Sequence, residues 1–463
     1  MARFVLITNG ITSTTHTGLE LARRLIAAGH EATMLCHADL ADVAARSDVP
    51  FVRLVADRDA FERVRTTLVS VSRLPRRSAV RSLVELPGIV WRARRDTATA
   101  IELHEVIERI DPDVVVADTE AHVAIAALSS SEIPLVLSTF LFDVEPEGGA
   151  PPLDSRLLPG AGEIAATWAA NLAEGRRLRR RRWLTRRGLI DLVGPISYAS
   201  NGMPALRAVA RRHRYRLRRI ARTDGWLRPV WYPRLPTLST NLPELEFGSG
   251  PAGWTYVGPM VAADDGGARW HRAADSDRWR ELLAARERLD KPPALVYCSF
   301  GTYRSADRDL VGRVIEAVSG RHDLQLVIGL GSTLESTAFG EPPANVLMLD
   351  WADQTAVLRH ADAAIVHGGN ATLNECVVSG VPMVACSTGF LDQNGVCARI
   401  EHARIGRRVD RSASSVEIGQ AIDDVLGDAV LRSRIHELCA VANDPARRRI
   451  AVDVLEELAE ADR

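Results

Sequence analysis

Lysine, paired cysteine and long apolar runs are all scarce in this sequence of 463 residues. Lys291 is the single lysine among 58 basic residues, so Schiff-base chemistry is excluded at every other position. The six cysteines are scattered, mostly inside apolar runs, and none of them has C-x-x-C spacing, which argues against a zinc or redox site. We therefore expect reduced, buried thiols.

Apolar runs are too short for a targeting or membrane segment. The run Phe4–Ile7 falls below the roughly 7 to 15 residues of a signal-peptide core, and no stretch approaches the roughly 18 apolar residues of a membrane span. With 46% hydrophobic and 25% charged residues and a formal net charge of −1, the composition is that of a globular chain. We expect a cytoplasmic protein with two domains, because a domain usually contains roughly 100 to 200 residues.

Short β-branched runs alternate with helical patterns in two separate series. The first series begins with RFVLIT and a helix that ends at Gly29, and it continues through DPDVVVAD and IPLVLSTF. The second contains ALVYCSF, DLQLVIGL, NVLMLD, AAIVHGG and VPMVACS. This alternation predicts an α/β fold with two Rossmann-like, doubly wound domains that face each other across a cleft.

The composition along the chain suggests where these domains begin and end. We predict an N-terminal domain over residues 1–257 and a C-terminal domain over residues 277–444. The Gly-, Asp- and Ala-rich residues 258–276 have the composition of a linker. Residues 445–463 are expected to form a terminal helix, for which crossing back to the N-terminal domain is one option.

An arginine-rich segment, residues 175–222, interrupts the first series with sixteen arginines against one acidic residue, Asp191. Isolated apolar positions such as Trp183 and Leu189 predict helices with one buried stripe. A solvated helical face and a surface that contacts an anionic membrane or an acidic ligand both remain open. Nucleic acid is not an expected partner, because the segment has no recognised binding module and few aromatics for stacking.

The segment AAIVHGGNATLNE joins an apolar strand to a helix through a His-Gly-Gly turn. Gly368 and Gly369 allow a phosphate to approach backbone N–H groups, and the positive end of the following helix faces the same anion. His367 and Thr372 add side-chain donors, while Glu375 supplies an acceptor for ribose hydroxyls. The pattern predicts a cradle for a nucleoside diphosphate; the alternative is a simple turn beside a buried histidine.

Upstream of this turn stand Trp351, Gln354 and His360, in the sequence WADQTAVLRHADAAIVHGG. The spacing resembles the donor-binding signature of family 1 glycosyltransferases, the UDP-glycosyltransferase superfamily of the GT-B fold, in its bacterial natural-product form. Downstream, Gly380–Pro382 and the pair Asp392 and Gln393 also fall where that family has them. Asn370 stands at a position that varies between branches of the family, and Ser387 stands near a position that is usually proline.

The resemblance implies a nucleotide sugar as co-substrate and gives each donor-site residue a role. Trp351 would stack on the base, Glu375 would bind the ribose, and Asp392 and Gln393 would bind the sugar hydroxyls. The donor-binding residues predicted in this way are Ser299, Thr302, Trp351, Gln354, His367, Gly368, Gly369, Asn370, Thr372, Glu375, Asp392 and Gln393. We expect no cofactor and no metal, since the helix end and backbone donors would meet the diphosphate charge.

The catalytic base is the least regular part of the resemblance. In the family, a histidine after the first strand deprotonates the acceptor hydroxyl, and an aspartate after the fourth strand orients it. Thr14 stands at the histidine position and His16 follows two residues later, while Asp118 stands at the aspartate position. We predict His16 and Asp118 as the catalytic pair, with His122 in reserve; the alternative is a protein that binds sugar nucleotide without transferring it.

The resemblance implies an inverting transferase that moves a hexose or deoxyhexose from a UDP- or dTDP-sugar. The expected acceptor is a hydroxyl of a hydrophobic small molecule such as a polyketide or macrolide, which points to natural-product or antibiotic biosynthesis. The alternative is a lipid or carotenoid glycosyltransferase whose arginine-rich segment makes peripheral contact with the inner face of the membrane.

Overall fold

A computed structural model of the chain describes residues 1–36, 40–54, 100–143, 149–185, 210, 221, 231–262, 273–301, 307–331, 334–389 and 392–461. Thr302, residues 263–272 of the expected linker and most of the arginine-rich segment lie outside the described residues. Within the described residues, the chain forms two separate parallel sheets with helices packed on them, which confirms the predicted α/β class.

The first sheet has seven parallel strands in the order β3-β2-β1-β4-β5-β6-β7. The strands are β1 (Arg3–Ile7), β2 (Glu31–Cys36), β3 (Phe51–Arg53), β4 (Val114–Asp118), β5 (Leu135–Thr139), β6 (Thr237–Ser239) and β7 (Trp254–Tyr256). The central strand β4 is buried along its whole length because helices cover both faces of a parallel sheet. The order reverses between β1 and β4, so a crevice opens at their carboxyl ends.

The second sheet has six parallel strands in the order β10-β9-β8-β11-β12-β13. The strands are β8 (Ala294–Ser299), β9 (Leu324–Gly329), β10 (Val346–Leu349), β11 (Ala363–Val366), β12 (Met383–Cys386) and β13 (Gly406–Val409). Here the reversal lies between β8 and β11, whose registered pair Ser299 and Val366 marks the carboxyl end. Two switch points, one in each sheet, therefore supply the residues of the cleft.

Helices pack on both sheets, and four of the described helices begin at a side chain that caps them, namely Asp307, Asp353, Ser414 and Asp428. In the first half they are α1 (Thr12–Ala27), α2 (Ala41–Arg46), α3 (100–110), α4 (His122–Leu128) and α5 (Ile164–Thr185). In the second half they are α6 (Ala273–Glu287), α7 (Arg308–Val318), α8 (Gln354–Leu358), α9 (Asn370–Ser379), α10 (Gln393–His402), α11 (Ser415–Gly427), α12 (Ala429–Asn443) and α13 (Pro445–Ala461). Helix α11, for example, begins in a capping box between Ser414 and Glu417.

The last helix, α13, packs on the first sheet although it follows the second in sequence. Its buried Val452 and Leu455 belong to the same apolar cluster as Leu19 of α1. Polar contacts reinforce the packing: Arg448 donates to Glu20 at 3.0 Å, and His30 Nε2 lies 2.7 Å from a Glu456 carboxylate oxygen. The chain therefore crosses back and ties the two domains together.

A second contact between the domains is made by α10. The N–H of Gly395, in its first turn, donates to the carbonyl of Leu153 at 2.8 Å. Further along, Arg399 is 1% exposed and its guanidinium lies 4.4 Å and 4.1 Å from the ring centroids of Phe142 and Phe247. Arg399 also pairs at 3.3 Å with Glu246, so one helix of the C-terminal domain is buried against the N-terminal domain.

None of the described helices combines the length and the apolar character that crossing a membrane would require.

Candidate functional site

A cavity of about 140 Å³ lies between the two sheets. Its N-terminal wall is formed by Thr12, Ser13, His16, Thr17, Phe140, Thr240, Met260 and Val261. Its C-terminal wall is formed by Tyr297, Ser299, Gly301, Gly329, Gly331, Trp351, Ala352, Gln354, Ala371, Thr372, Asn374 and Glu375. The fold thus brings one predicted catalytic residue, His16, to the same cavity as five of the predicted donor-binding residues.

The His-Gly-Gly turn between β11 and α9 leaves no room for a Cβ atom at either glycine. Gly368 has a φ of +83°, and a Cβ there would lie 2.6 Å from Cys397 Sγ and 2.7 Å from the Gln393 carbonyl oxygen. A Cβ on Gly369 would lie 2.6 Å from Nε2 of His367. Because Gly369 is also the N-cap of α9, the first N–H groups of that helix have no capping side chain and suit an anion.

His367 is buried beside this turn, with 8% of its surface exposed. Burial lowers the pKa of its imidazole to about 4, and a hydrogen bond with the Ser299 backbone only partly opposes that effect. The ring is therefore neutral near pH 7. Among the described residues, its Nδ1 atom has no hydrogen-bond partner although it is buried, and such an atom is suited to a polar ligand.

Four side chains of the C-terminal wall are joined by hydrogen bonds. Gln354 Nε2 donates to Thr372 Oγ1 at 3.2 Å and makes a short contact with a carboxylate oxygen of Glu375. Tyr297 Oη donates to Gln354 Oε1 at 3.3 Å. Burial raises the pKa of Tyr297, so its hydroxyl stays protonated and keeps the Gln354 amide oriented. Sequence reasoning missed Tyr297, whose only signal was a polar side chain in the apolar run ALVYCSF.

Trp351 is half-buried at the end of β10, on the cavity wall. Its backbone N–H donates to Asp275 of α6 at 3.0 Å. Two residues later, Asp353 caps α8 by accepting from the N–H of Ala356 at 3.0 Å. These two contacts hold the segment between β10 and α8 in place, and with it the indole.

Asn370, Asp392 and Gln393 lie beside the turn but are not among the residues that line the cavity. Asn370 Nδ2 donates to Asp392 Oδ2 at 2.5 Å. Gln393 Oε1 accepts from both the N–H and the hydroxyl of Thr388, at 3.1 Å and 2.6 Å. Their contact with a sugar therefore stays a prediction.

On the N-terminal wall, the two predicted catalytic residues have different surroundings. His16 is half-buried on α1 and faces the cavity, whereas Thr14 is 2% exposed and is not a lining residue. Asp118 is 7% exposed at the end of β4; its Oδ1 accepts from the Glu120 N–H at 2.7 Å and from Asn9 Nδ2 at 3.3 Å. The role of His16 and Asp118 as a catalytic pair remains a prediction.

His122, the reserve candidate, forms a hydrogen bond with Tyr232. Its Nδ1 lies 2.9 Å from the hydroxyl of Tyr232, a buried phenol that stays protonated because burial raises its pKa. His122 is also not among the cavity-lining residues.

Asn374 is a further cavity residue that sequence reasoning missed. It is 4% exposed on α9, and its amide donates to the Thr240 carbonyl at 3.1 Å and to Asn241 Oδ1 at 3.0 Å. These bonds cross from the C-terminal to the N-terminal wall. No local sequence pattern predicts these two hydrogen bonds, because the partners are more than a hundred residues apart in sequence.

Among the residues that the structure describes, no group of three or more His, Cys, Asp or Glu side chains is arranged to hold a metal ion. Asp111 and Asp113, which have D-x-D spacing, contact β1: Asp113 accepts from the Arg3 N–H at 2.7 Å, and Asp111 pairs with the Arg3 guanidinium at 2.7 Å.

Residues 334–451 match the protein-family model described as UDP-glucoronosyl and UDP-glucosyl transferase. Similar curated sequences include the zeaxanthin glucosyltransferase of Pantoea ananas, 25% identical over 48% of this chain and 49% of the relative. The oleandomycin glycosyltransferase of Streptomyces antibioticus is 24% identical over 44% of each chain. The chain thus matches half or less of the length of these relatives.

Solved structures resemble the whole chain. The calicheamicin glycosyltransferase CalG4 matches with a TM-score of 0.62 and 16% identity, over 100% of this chain and 99% of its own. The glycosyltransferase VinC in complex with dTDP matches with a TM-score of 0.60 and 16% identity, over 99% and 100%. These likenesses confirm the predicted GT-B fold.

Proposed function

We propose that this protein transfers a hexose or deoxyhexose from a UDP- or dTDP-sugar to a hydroxyl of a hydrophobic small molecule. The GT-B fold and the match of residues 334–451 to the UDP-glucoronosyl and UDP-glucosyl transferase model support this proposal. One observation carries this proposal. The cavity is lined by the predicted donor-binding residues Trp351, Thr372 and Glu375 on one wall and by His16, the predicted base, on the other.

The donor would lie along the C-terminal wall. Trp351 would stack on the base, and Glu375, oriented by Gln354, would accept hydrogen bonds from the ribose. The diphosphate would lie at the uncapped start of α9, beside the neutral ring of His367. Neutral donors and a helix dipole would supply the electrostatic stabilisation, so the proposal includes neither a metal nor a cofactor.

The proposed reaction is a single displacement with inversion. The hydroxyl oxygen of the acceptor attacks the anomeric carbon while the bond from that carbon to the diphosphate oxygen breaks. His16 takes the hydroxyl proton, and the nucleoside diphosphate leaves with its charge stabilised by the N–H groups of α9. His16 and Asp118 remain the residues to which we assign base catalysis.

The names of similar proteins support the choice of substrates. Zeaxanthin, oleandomycin, calicheamicin and spinosyn appear in the names of matching glycosyltransferases. Two of the matching structures contain dTDP or thymidine diphosphate. We therefore propose a secondary metabolite such as a polyketide or macrolide as acceptor, with a role in natural-product biosynthesis.

A carotenoid or lipid acceptor is the second candidate, supported by the zeaxanthin glucosyltransferase match and by the arginine-rich segment. Such an enzyme would make peripheral contact with anionic membrane. Binding to phosphatidylglycerol vesicles that weakens as salt is added would favour this candidate. Absence of vesicle binding at low salt would favour a soluble acceptor.

The test of the proposed function combines binding and turnover. A panel of UDP- and dTDP-sugars is screened by thermal shift, because a ligand bound only by the folded state raises the melting temperature. Glu375→Ala should weaken nucleotide binding about 10- to 100-fold, as expected for the loss of hydrogen bonds to a charged group. Glu437→Ala is the control, since Glu437 is exposed and pairs only on the surface with Arg434.

If no nucleoside diphosphate or sugar nucleotide shifts the melting temperature, and Glu375→Ala behaves like Glu437→Ala, the proposed function is wrong. Binding without transfer to any hydroxylated acceptor would instead support the catalytically idle alternative.

A further inference from the structure

Asn9, in the turn between β1 and α1, connects two residues that the family pattern would place in direct contact. Its side-chain oxygen accepts from the Thr14 hydroxyl at 2.6 Å and from the Ile11 N–H at 2.9 Å. Its side-chain nitrogen donates to Asp118 Oδ1 at 3.3 Å. The two donors on one side and the carboxylate on the other allow a single orientation of the amide.

These bonds determine where α1 begins. The N-cap residue, Ile11, has no side chain that can cap a helix, and the Asn9 oxygen holds its N–H instead. Gly10 provides the sharp turn before it, with a φ of +79°. His16 lies about one turn into the same helix, so the position of its ring over the cavity depends on how the first turn is anchored.

Asp118 is itself held in place at the end of β4 by the N–H of Glu120, at 2.7 Å. A buried carboxylate that is fixed in this way provides a rigid, charged acceptor for the Asn9 amide. Thr14, which stands at the position of the family histidine, is buried and serves as the other end of the connection.

We propose that Asn9 is a positioning residue for the transfer reaction: anchored to Asp118, it holds the first turn of α1 and so places the His16 ring over the cavity. This inference rests on the proposed function. It assigns Asp118 a role exerted through Asn9, and it explains how a chain with threonine at the usual histidine position presents a histidine two residues later.

The first experiment compares two leucine substitutions in the same domain. Asn9→Leu removes the hydrogen bonds to Thr14 and to Asp118 and keeps a side chain of similar volume. Asn171→Leu is the matched control, because Asn171 also donates to an aspartate, Asp154 Oδ1, at 2.9 Å but away from the cavity. We expect Asn9→Leu to lower kcat about 10- to 100-fold with little change in KM, since misplacement of a reacting group by about 1 Å costs that much.

Nucleotide binding, measured by calorimetry, should stay within twofold for Asn9→Leu because the donor residues belong to the other domain. A kcat within twofold of the wild-type value in a folded Asn9→Leu protein would overturn the inference. A fall that Asn171→Leu matches would overturn it too, because the effect would then be one of general stability.

A second variant gives a pH signature and covers the case in which Asn9→Leu fails to fold. Asn9→Asp keeps the oxygen that faces Thr14 but places an oxygen opposite Asp118, so the two carboxyls repel and one pKa rises. When that carboxyl is protonated, it can donate to Asp118 as the amide does. The kcat of Asn9→Asp relative to wild type should therefore recover as the pH falls; a constant ratio between pH 8 and pH 5 would contradict the inference.

A third measurement does not depend on turnover. The imidazole signals of His16, assigned by comparison with His16→Gln, should shift in Asn9→Leu and stay unchanged in Asn171→Leu in NMR spectra of labelled protein. If the wild-type chain transfers no sugar, the proposed function fails while this measurement still decides whether Asn9 places His16. Unchanged His16 signals in Asn9→Leu would overturn the inference.

Discussion

The C-terminal wall of the cavity has polar side chains that contact one another directly, whereas behind the N-terminal wall two polar side chains are joined through a third. On the C-terminal wall, Gln354 bonds to Thr372 and contacts Glu375, all within one stretch of strand, turn and helix. Behind the N-terminal wall, Asp118 is joined to Thr14 through Asn9. Residues that lie close in sequence form a motif that can be recognised in the sequence. Residues that are joined across the sheet form no such motif.

The histidines of the two domains also differ in burial. His367, behind the C-terminal wall, is kept neutral by burial, which suits a donor toward a phosphate that also meets a helix end. His16 on the N-terminal wall is half-buried and faces the cavity, as a base that must exchange protons with an acceptor requires. The three predictions that follow test this contrast, from the largest expected effect to the smallest.

The largest effect is expected on the N-terminal wall, from His16→Ala. Loss of a general base should lower kcat about 10²- to 10⁴-fold while the dissociation constant for the nucleoside diphosphate stays within about twofold. Steady-state kinetics and calorimetry measure the two quantities. His322→Ala, at an exposed histidine far along the chain, is the control. If His16→Ala lowers nucleotide binding as much as turnover, the assignment of His16 to base catalysis on the N-terminal wall is wrong.

The second-largest effect is expected at the ion pair between Arg399 and Glu246, which joins the two domains. Arg399→Leu leaves the Glu246 carboxylate buried between the domains without its guanidinium partner, and such a loss usually costs about 3 to 5 kcal/mol of stability. Burial already raises the pKa of Glu246 in the intact protein, although Arg399 opposes that shift. The free energy of unfolding is measured by denaturation in urea.

The double variant Arg399→Leu with Glu246→Gln should recover part of that loss, because the remaining amide is neutral and can still accept from the Tyr256 hydroxyl, which lies 3.1 Å from Glu246 Oε1. A single variant as stable as wild type would show that α10 does not depend on this pair for its contact with the N-terminal domain.

The smallest effect concerns the buried histidine behind the C-terminal wall. Because the folded pKa of His367 is about 4, below its ordinary value of 6.5, the unfolded chain binds a proton between those pH values that the folded chain does not. Stability should therefore fall as the pH drops from 7 to 5, by about 2 kcal/mol from this residue. His367→Gln should show a shallower fall over that range, measured by urea denaturation at both pH values; an equal fall would contradict the assignment.

Prediction from sequence succeeded where chemistry and spacing are local. The strand before His367, the two glycines and the helix that carries Thr372 and Glu375 form one contiguous unit, so their side chains meet wherever that unit folds. The same holds for the alternation of strands and helices, from which the two parallel sheets follow. Asp392 and Gln393 were also named from spacing, but their distance from the cavity lining depends on how α10 packs.

The α/β class, the two doubly wound sheets and the turn at His367, Gly368 and Gly369 follow from the amino-acid sequence alone, because hydrophobic periodicity and glycine conformation act within a few residues. Only the tertiary structure decided that His16 faces the cavity, that Asn9 joins Thr14 to Asp118, and that Asn374 bridges the walls. The bonds from Asn9 to Asp118 and from Asn374 to Thr240 join residues more than a hundred positions apart, so they form only when the folded chain brings distant segments together.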